Sequence, residues 1–187
     1  MKKYQIIYAD PPWVYNDKSK SHGGGAESHY VCTPTEELAK IQIPAEENSV
    51  CLMWVTYPQL EEGLKLLKAW GFKFKTVAFT WVKTNKDGSI YMGMGRHTRA
   101  NAEICLLGTR GKGVPRVRAD IRNTVLLPRG RHSEKPDYFR TQIDFLYGLQ
   151  PARIELFARQ KTEGWDVWGN EVESDIALYP TITSDKE

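Results

Sequence analysis

The chain has 187 residues, of which 41% are hydrophobic and 26% charged. This composition excludes a collagen, a coiled coil and a wholly disordered chain, and the length suits one domain with its own core. No apolar run approaches the roughly 20 residues of a membrane span, and the N-terminal apolar stretch is too short for a signal peptide, so we expect no membrane association. The three cysteines are odd in number and widely spaced, which favours a reducing cytoplasm over a disulfide framework or a metal site.

The positive charge is concentrated in one part of the chain. Residues 96–135 contain 10 Lys and Arg against 3 Asp and Glu, whereas residues 136–187 contain 5 against 10. Arginine clusters suit phosphate groups, so this basic stretch predicts contact with a nucleic-acid backbone. A solvated surface loop is the alternative that charge alone leaves open.

Hydrophobic patterning predicts strands that alternate with helices. Short apolar runs bounded by proline or glycine indicate buried strands, and proline in a first turn with early acidic residues indicates a helix start. In chain order we predict a strand at 4–9, a polar loop at 14–33, a helix at 34–41, a strand at 50–55, a helix at 58–70, a strand at 76–82, a loop at 84–100, strands at 102–107 and 123–127, a helix at 135–148, and strands at 152–158 and 164–169.

Continuously apolar strands that alternate with helices are typical of a mostly parallel sheet covered on both faces. Ligands bind such sheets at the carboxyl ends of the strands. Two polar clusters follow predicted strands at that edge, at residues 10–13 and residues 155–159. We therefore expect the functional site where these two clusters meet.

The tetrapeptide Asp10-Pro11-Pro12-Trp13 combines groups that could bind an amine. A carboxylate only accepts hydrogen bonds, the proline pair fixes the backbone and leaves rigid carbonyls, and the indole offers a flat face. Two acceptors and an aromatic face could hold a planar ring through its exocyclic amine. Acceptors on both amine hydrogens would stabilise positive charge as the nitrogen attacks an electrophile. A turn that merely ends a strand, with Trp13 in the core, is the alternative.

The tetrapeptide resembles the catalytic motif of amino-methyltransferases that act on adenine N6, in the form found in the MT-A70 family. Further segments resemble that family in the same order, over about residues 4–171. They are SHYVCTPTEELAKIQIP (28–44), LMWVT (52–56), WVKTN (81–85), AEICLLGTRG (102–111), HSEKP (132–136), RIELFAR (153–159) and WGNE (168–171).

The resemblance implies a role for each matching residue. Asp10 and the Pro11 carbonyl would hold the target amine, with Pro12 fixing the turn. Trp13 and Tyr30 would pack around a flipped base, and Lys83, in a matching strand, would contact the substrate. The cofactor would be S-adenosylmethionine, held by residues near the predicted C-terminal strands: Asp10, Lys135, Glu155, Arg159, Lys161, Asn170 and Glu171.

Structural alternatives stand beside several of these roles. Lys135 could simply open a helix, Tyr30 could be a core residue, and Asn170 could lie in an ordinary turn. Glu155 sits among apolar neighbours, so it needs a partner, and a structural pair with Arg159 is the alternative to a cofactor contact. The four histidines lack the spacing of metal ligands, so we expect no metal.

Two features depart from the family pattern. Lys161 stands where the family usually has histidine. Longer members carry an upstream segment whose acidic residue contacts the cofactor's adenine, and nine residues precede Asp10 here. We expect that contact to be absent or replaced.

The resemblance implies a Rossmann-like class I methyltransferase fold. Because the amine-binding motif comes first and the cofactor strand last, the order is circularly permuted, as in the β group of amino-methyltransferases. We expect one domain at residues 1–173 and a loose acidic tail at 174–187. The predicted activity is adenine-N6 methylation of DNA, with backbone contacts from the basic stretch, which includes Arg96, Arg99, Arg110, Arg116, Arg118, Arg122, Arg129 and Arg131.

Two other functions remain open at this stage. The same reaction on RNA is the first, and a non-catalytic, nucleic-acid-binding partner subunit is the second. A homodimer and a heteromeric assembly are both compatible with the sequence.

Overall fold

A computed structural model of the chain describes residues 2–14, 32–95, 97–130 and 134–178. Seven strands form one sheet in the order β5-β3-β4-β2-β1-β6-β7, with three α-helices packed on it. The elements are β1 (Tyr4–Ala9), α1 (Thr35–Ala39), β2 (Ala45–Val55), α2 (Leu60–Ala69), β3 (Lys73–Thr84), β4 (Ala102–Arg110), β5 (Thr124–Pro128), α3 (Tyr138–Tyr147), β6 (Arg153–Leu156) and β7 (Asp166–Trp168).

Every helix and strand predicted from the sequence is present, which confirms the α/β architecture. The bounds differ at element ends: β2 begins at Ala45 rather than at residue 50, and a 3₁₀ turn at Tyr57–Gln59 precedes α2. Charged and polar residues occupy the first part of β2, so apolar patterning finds only its buried second half.

The sheet is mixed, with β4 as its one strand antiparallel to both neighbours among the described residues. The other neighbouring pairs, β1 with β2, β1 with β6, β3 with β5, and β6 with β7, are parallel, as predicted. The carboxyl ends of those strands therefore share one edge, which we call the carboxyl edge. Because β4 runs the other way, it begins at this edge and ends at the opposite one.

Two hydrophobic clusters cover the two faces of the sheet. Buried residues of α1 and α2, including Leu38 and Leu66, pack on one face. Phe139, Ile143 and Tyr147 recur along α3 at helical spacing and pack on the other face. This arrangement leaves the two edges of the sheet for binding.

The packed part of the chain extends at least to Leu178. The Asp175 N–H donates to the Val167 carbonyl at 2.9 Å, and Ile176 and Leu178 pack against the first cluster. Asp175 also accepts the Val167 N–H at 2.8 Å, so contacts with the sheet reach past residue 173. The domain bounds of 1–173 and the loose tail at 174–187 stay predictions. Residues 179–187 lie outside the described part.

The longest helices in the described ranges have ten residues, and none is long and apolar enough to cross a membrane. Within the same ranges, no group of three or more His, Cys, Asp or Glu side chains is arranged to hold a metal ion.

Candidate active site

Asp10-Pro11-Pro12-Trp13 lies at the carboxyl edge, directly after β1. The register pairs Ala9 with Leu156, so Asp10 lies beside the end of β6. The Trp13 N–H donates to the Pro11 carbonyl at 2.9 Å, and the Thr33 N–H donates to the Pro12 carbonyl at 2.8 Å. These bonds fix the proline turn against the segment before α1.

Trp13 is a core residue, with 4% of its surface exposed. Its indole N–H donates to the Trp54 carbonyl at 3.0 Å. This placement anchors the turn that carries Asp10. Stacking of Trp13 on a base stays a prediction, and it would require the indole to be uncovered.

A chain of alternating charges links three strands and the segment before α3 at this edge. The Lys135 ammonium lies 2.6 Å from Oδ2 of Asp10 and 3.2 Å from Oε2 of Glu103. The other oxygen of Glu103 accepts from Lys83, at the end of β3. Lys135 also lies 5.6 Å from the centroid of the Trp54 ring. The two carboxylates and two ammoniums therefore neutralise one another in a largely buried site.

Burial and charge set the pKa values of this cluster. Burial raises the pKa of Asp10 above its usual value, and Lys135 opposes that shift without cancelling it. Burial alone would raise the pKa of Glu103, but Lys135 and Lys83 outweigh it and lower the pKa to about 2. Burial alone would lower the pKa of Lys135, but Asp10 and Glu103 raise it above its usual range. Lys135 is thus a permanent cation at physiological pH.

Two acceptors at this turn have lone pairs that the described hydrogen bonds do not use. Among the described residues, Oδ1 of Asp10 has no hydrogen-bond partner. The Pro11 carbonyl accepts one bond, from the Trp13 N–H, and a carbonyl oxygen has two lone pairs. Within the described part of the chain, one carboxylate oxygen and one lone pair of a rigid carbonyl therefore remain without a donor.

The ends of β6 and β7 form the neighbouring part of the carboxyl edge. Phe157, directly after β6, is the one non-glycine residue with positive φ (62°) in the described ranges. A large side chain in the left-handed region is strained, so the surroundings must hold it. Phe157 packs between Trp70 and Trp168, and the Ala158 N–H donates to the Trp168 carbonyl at 3.0 Å.

Polar side chains follow this strained turn. Arg159 lies close enough to Asp10 to lower its pKa, and its Nε is 3.4 Å from Oε1 of Glu171. Asn170 lies in the turn that follows β7. The fold places Asp10, Arg159, Asn170 and Glu171 along the carboxyl edge, and their predicted roles stay predictions.

The comparisons with known proteins agree with this geometry. The MT-A70 family model matches residues 4–171. The chain belongs to the MT-A70 family. The type II methyltransferase M.MunI from a Mycoplasma species is 37% identical over 201 residues, covering 96% of this chain and 82% of the relative.

More distant members of the MT-A70 family match over most of this chain. The human N(6)-adenine-specific methyltransferase METTL4 is 26% identical, covering 91% of this chain and 38% of its own length. The N6-methyladenosine RNA methyltransferase MTA1 of Pyricularia oryzae is 26% identical, covering 90% of this chain and 47% of its own length. The chain thus spans most of the Mycoplasma relative and under half of the other two. Family membership and the seven-stranded mixed sheet together establish the Rossmann-like methyltransferase fold.

Glu155 has a partner that differs from the expected one. Both of its oxygens accept from Arg140 on α3, at 2.6 and 2.7 Å, so a structural pair with Arg159 is wrong. Asp144 and Arg153 form a second pair between the same two elements, with the charges exchanged. These buried pairs dock α3 on β6 in antiparallel orientation. A cofactor contact of Glu155 stays a prediction, since both oxygens are engaged and the residue is buried.

The remaining predicted cofactor residues differ in their surroundings. Lys161 forms an ion pair with Asp175, which ties the segment after β6 to the segment after β7. Lys135 is held by Asp10 and Glu103, and its predicted contact with the cofactor stays a prediction.

The predicted phosphate-binding arginines do not lie together. Arg116 and Arg118 follow the end of β4, at the edge opposite Asp10, and the Val117 N–H donates to the Leu146 carbonyl near the C-terminus of α3. A nine-residue strand places them roughly 27 Å along the sheet from the carboxyl edge. Arg99 precedes β4 at the carboxyl edge. Tyr30 and Arg96 lie outside the described residues.

Sequence reasoning missed three residues of this site: Glu103, Arg140 and Phe157. Glu103 stands in an apolar strand, as Glu155 does, and such an acid requires a partner. That signal was available in the sequence for both acids. Arg140 interrupts the apolar face of α3 beside Phe139, but the left-handed turn at Phe157 leaves no mark in a sequence pattern.

Proposed function

We propose that this protein transfers a methyl group from S-adenosylmethionine to the N6 amine of adenine in DNA. The observation that carries this proposal is the Asp10 carboxylate on a rigid proline turn beside the end of β6. Lys135 holds it through Oδ2, and Oδ1 accepts no hydrogen bond from the described residues. The Mycoplasma relative's name, type II methyltransferase, and the human relative's name, N(6)-adenine-specific methyltransferase, support the reaction class.

The proposed target amine would donate its two N–H bonds to Oδ1 of Asp10 and to the Pro11 carbonyl. These acceptors withdraw the amine from conjugation with the ring and stabilise the positive charge that develops on nitrogen. The new N–CH₃ bond requires loss of one N–H proton. The raised pKa of Asp10 makes its carboxylate a better acceptor for that proton than an ordinary aspartate.

The chemistry of the residues near the ends of β6 and β7 fits the proposed cofactor. S-adenosylmethionine supplies an electrophilic methyl group on a sulfonium, and it presents hydroxyls, a carboxylate and an adenine edge. Arg159, Asn170 and Glu171 can satisfy these groups with charged donors, an amide and a carboxylate. Phe157 and Trp168 offer aromatic surface in the same turn. Positioning of this kind can supply up to roughly 10 kcal/mol of the barrier without a covalent intermediate.

DNA is favoured over RNA because the relative with 37% identity, of which the chain covers 82%, is a type II methyltransferase. The RNA methyltransferase MTA1 keeps RNA as the second candidate, and its identity is 26%. The available Asp10 acceptor argues against a non-catalytic subunit, which would need no intact amine-binding turn.

The test is transfer of a radiolabelled methyl group from S-adenosylmethionine to unmethylated duplex DNA, to the same DNA after denaturation, and to RNA. Asp10→Asn is the control, since it keeps the shape of the side chain and removes its charge. Cofactor binding is measured in parallel by calorimetry.

We expect label in adenine of DNA, lost in Asp10→Asn. Label in RNA alone would replace DNA by RNA as the substrate. No label on any substrate and no binding of S-adenosylmethionine would overturn the proposal in favour of a non-catalytic subunit.

A further inference from the structure

The segment between β3 and β4 projects from the carboxyl edge as two successive turns. We call its described residues, 85–95 and 97–101, the methionine loop. In the first turn Thr84 pairs with Ile90, and the Asn85 N–H donates to the Ser89 carbonyl at 2.8 Å. The Tyr91 N–H then donates to the Lys83 carbonyl at 2.9 Å. The returning chain is therefore fixed beside the end of β3.

Two glycines shape the second turn. The Gly93 N–H donates to the Ala100 carbonyl at 2.9 Å, and a Cβ at Gly93 would lie 2.1 Å from that oxygen. A Cβ at Gly95 would lie 1.9 Å from the Thr98 carbonyl oxygen. No residue with a side chain fits at either position without moving backbone, so the close approach requires glycine.

Two methionines face solvent: Met92 precedes Gly93, and Met94 lies between the two glycines. Met92 is 73% exposed and Met94 is 84% exposed. The glycines lie against the backbone of residues 98–100, whereas both methionine side chains are mostly exposed. The loop is thus built to display two flexible apolar side chains that contribute nothing to the core.

We propose that Met92 and Met94 form a wedge that enters the base stack of duplex DNA beside the target adenine. This inference rests on the proposed function. Extrusion of a base leaves a gap in the stack, and methionine is among the side chains that proteins insert between base steps. Its unbranched, polarizable chain adapts to a site of varying sequence.

The place of the loop supports this assignment. Its base is Lys83, which pairs with Glu103, which in turn pairs with Lys135, the partner of Asp10. The methionine loop and the proposed amine-binding carboxylate therefore lie at the same edge of the sheet, and a short run of ion pairs connects them. A base that leaves the stack at the loop would be close to Asp10.

The charge around the loop favours nucleic acid over a protein partner. The Arg129 guanidinium stacks on the Tyr91 ring, 4.0 Å from its centroid, and Arg99 is exposed in the second turn. The acid of the first turn, Asp87, is engaged by Ser89. Exposed methionines on a loop that carries Arg99 and contacts Arg129 suit a polyanion with apolar bases inside.

The test compares methyl transfer by Met92→Ala/Met94→Ala on unmethylated duplex DNA and on the same DNA after denaturation. We expect the double variant to lose ~10-fold or more of its rate on the duplex, since unstacking costs a few kcal/mol, and to keep its rate on single strands. Met92→Leu/Met94→Leu should retain the duplex rate. Leu149→Ala is the matched control, since Leu149 is 75% exposed elsewhere on the surface.

The outcomes separate this inference from the proposed function. Wild-type protein that methylates no adenine in DNA refutes the proposed function and the wedge with it, whereas wild-type protein that methylates only single-stranded DNA overturns the wedge alone. Equal loss on both DNA forms, or no loss on either, also overturns the wedge. If the double variant dissociates from an oligomer and loses its duplex rate for that reason, the wedge is overturned and the methionines contact a protein partner instead.

Discussion

The ammonium of Lys135 lies 2.6 Å from Oδ2 of Asp10, although 125 positions separate the two residues in the sequence. The same ammonium contacts Glu103 at 3.2 Å. Asp10 is therefore oriented from one side, by a cation that is itself fixed, and its other oxygen is directed elsewhere. Pre-organisation of this kind makes the carboxylate the group on which the proposed reaction depends.

Replacement of Asp10 by asparagine should abolish most methyl transfer. The substitution removes the charged acceptor for the amine. The Asn amide oxygen would face the Lys135 ammonium and leave its NH2 donor toward the amine, so we expect a loss of at least ~10²-fold in kcat. Steady-state transfer to adenine measures it, and binding of S-adenosylmethionine should persist in the variant. Near-normal turnover would refute the role of Asp10.

Lys135 should control the pH dependence of the reaction through Asp10. Activity requires the ionised carboxylate, so the rate should fall as acidification protonates Asp10, with a midpoint above the ordinary aspartate value of 3.8. In Lys135→Met, burial and Glu103 both raise the pKa of Asp10, and only the weaker effect of Arg159 still opposes them. We therefore expect the acid limb of kcat/KM to move to higher pH.

Lys135→Arg is the matched control because it keeps the positive charge. Its acid limb should remain near that of the wild type, even if geometry lowers the rate. An unchanged acid limb in Lys135→Met would show that Asp10 is not the titrating group.

Glu103 should stabilise the fold in a pH-dependent way. Its folded-state pKa of about 2 lies below its ordinary value of 4.5, so its contribution is complete above pH 4.5 and is lost as the pH falls toward 2. Glu103→Gln leaves Lys83 facing a neutral amide, and removal of one member of a buried pair costs about 3 kcal/mol. Urea unfolding should show this difference at neutral pH, and the difference should shrink on acidification. A constant difference would mean that Glu103 is not ionised in the fold.

The Arg140–Glu155 pair should act as a structural unit. Glu155→Gln leaves the buried guanidinium without its charged partner, so we expect a loss of about 3 kcal/mol in the free energy of unfolding. Arg140→Met/Glu155→Leu replaces both charges by apolar side chains and should recover most of that loss. We expect the double variant to bind S-adenosylmethionine by calorimetry. A stable double variant that fails to bind would return Glu155 to the proposed cofactor contacts.

Local patterns predicted the elements because their causes are local. The strand at Tyr4–Ala9 ends where two prolines remove backbone donors, and helix α3 begins after Pro136. The carboxyl edge followed from the order of strands and helices, which places Asp10 near the residues after β6.

Pairings between distant residues could not be predicted in the same way. Asp10 was assigned to the amine and the cofactor, and Lys135 to the cofactor, yet the two residues contact each other. Glu155 required a partner, but the choice of Arg140 over Arg159 depends on how α3 lies on β6. The basic stretch was read as one surface, whereas β4 carries its two parts to opposite edges of the sheet.

That separation gives a prediction for nucleic-acid binding. Arg99 and Arg129 lie at the carboxyl edge, so reversing both charges to glutamate should weaken DNA binding and reduce the slope of log K against log salt by about one for each lost phosphate contact. The matched reversal of Arg116 and Arg118, at the far edge, changes net charge equally and should affect a short duplex much less. Fluorescence anisotropy across a salt series measures both slopes. A larger effect at Arg116 and Arg118 would show that DNA follows the α3 face of the sheet and reaches the edge opposite Asp10, and it would place the main backbone contacts away from the methionine loop.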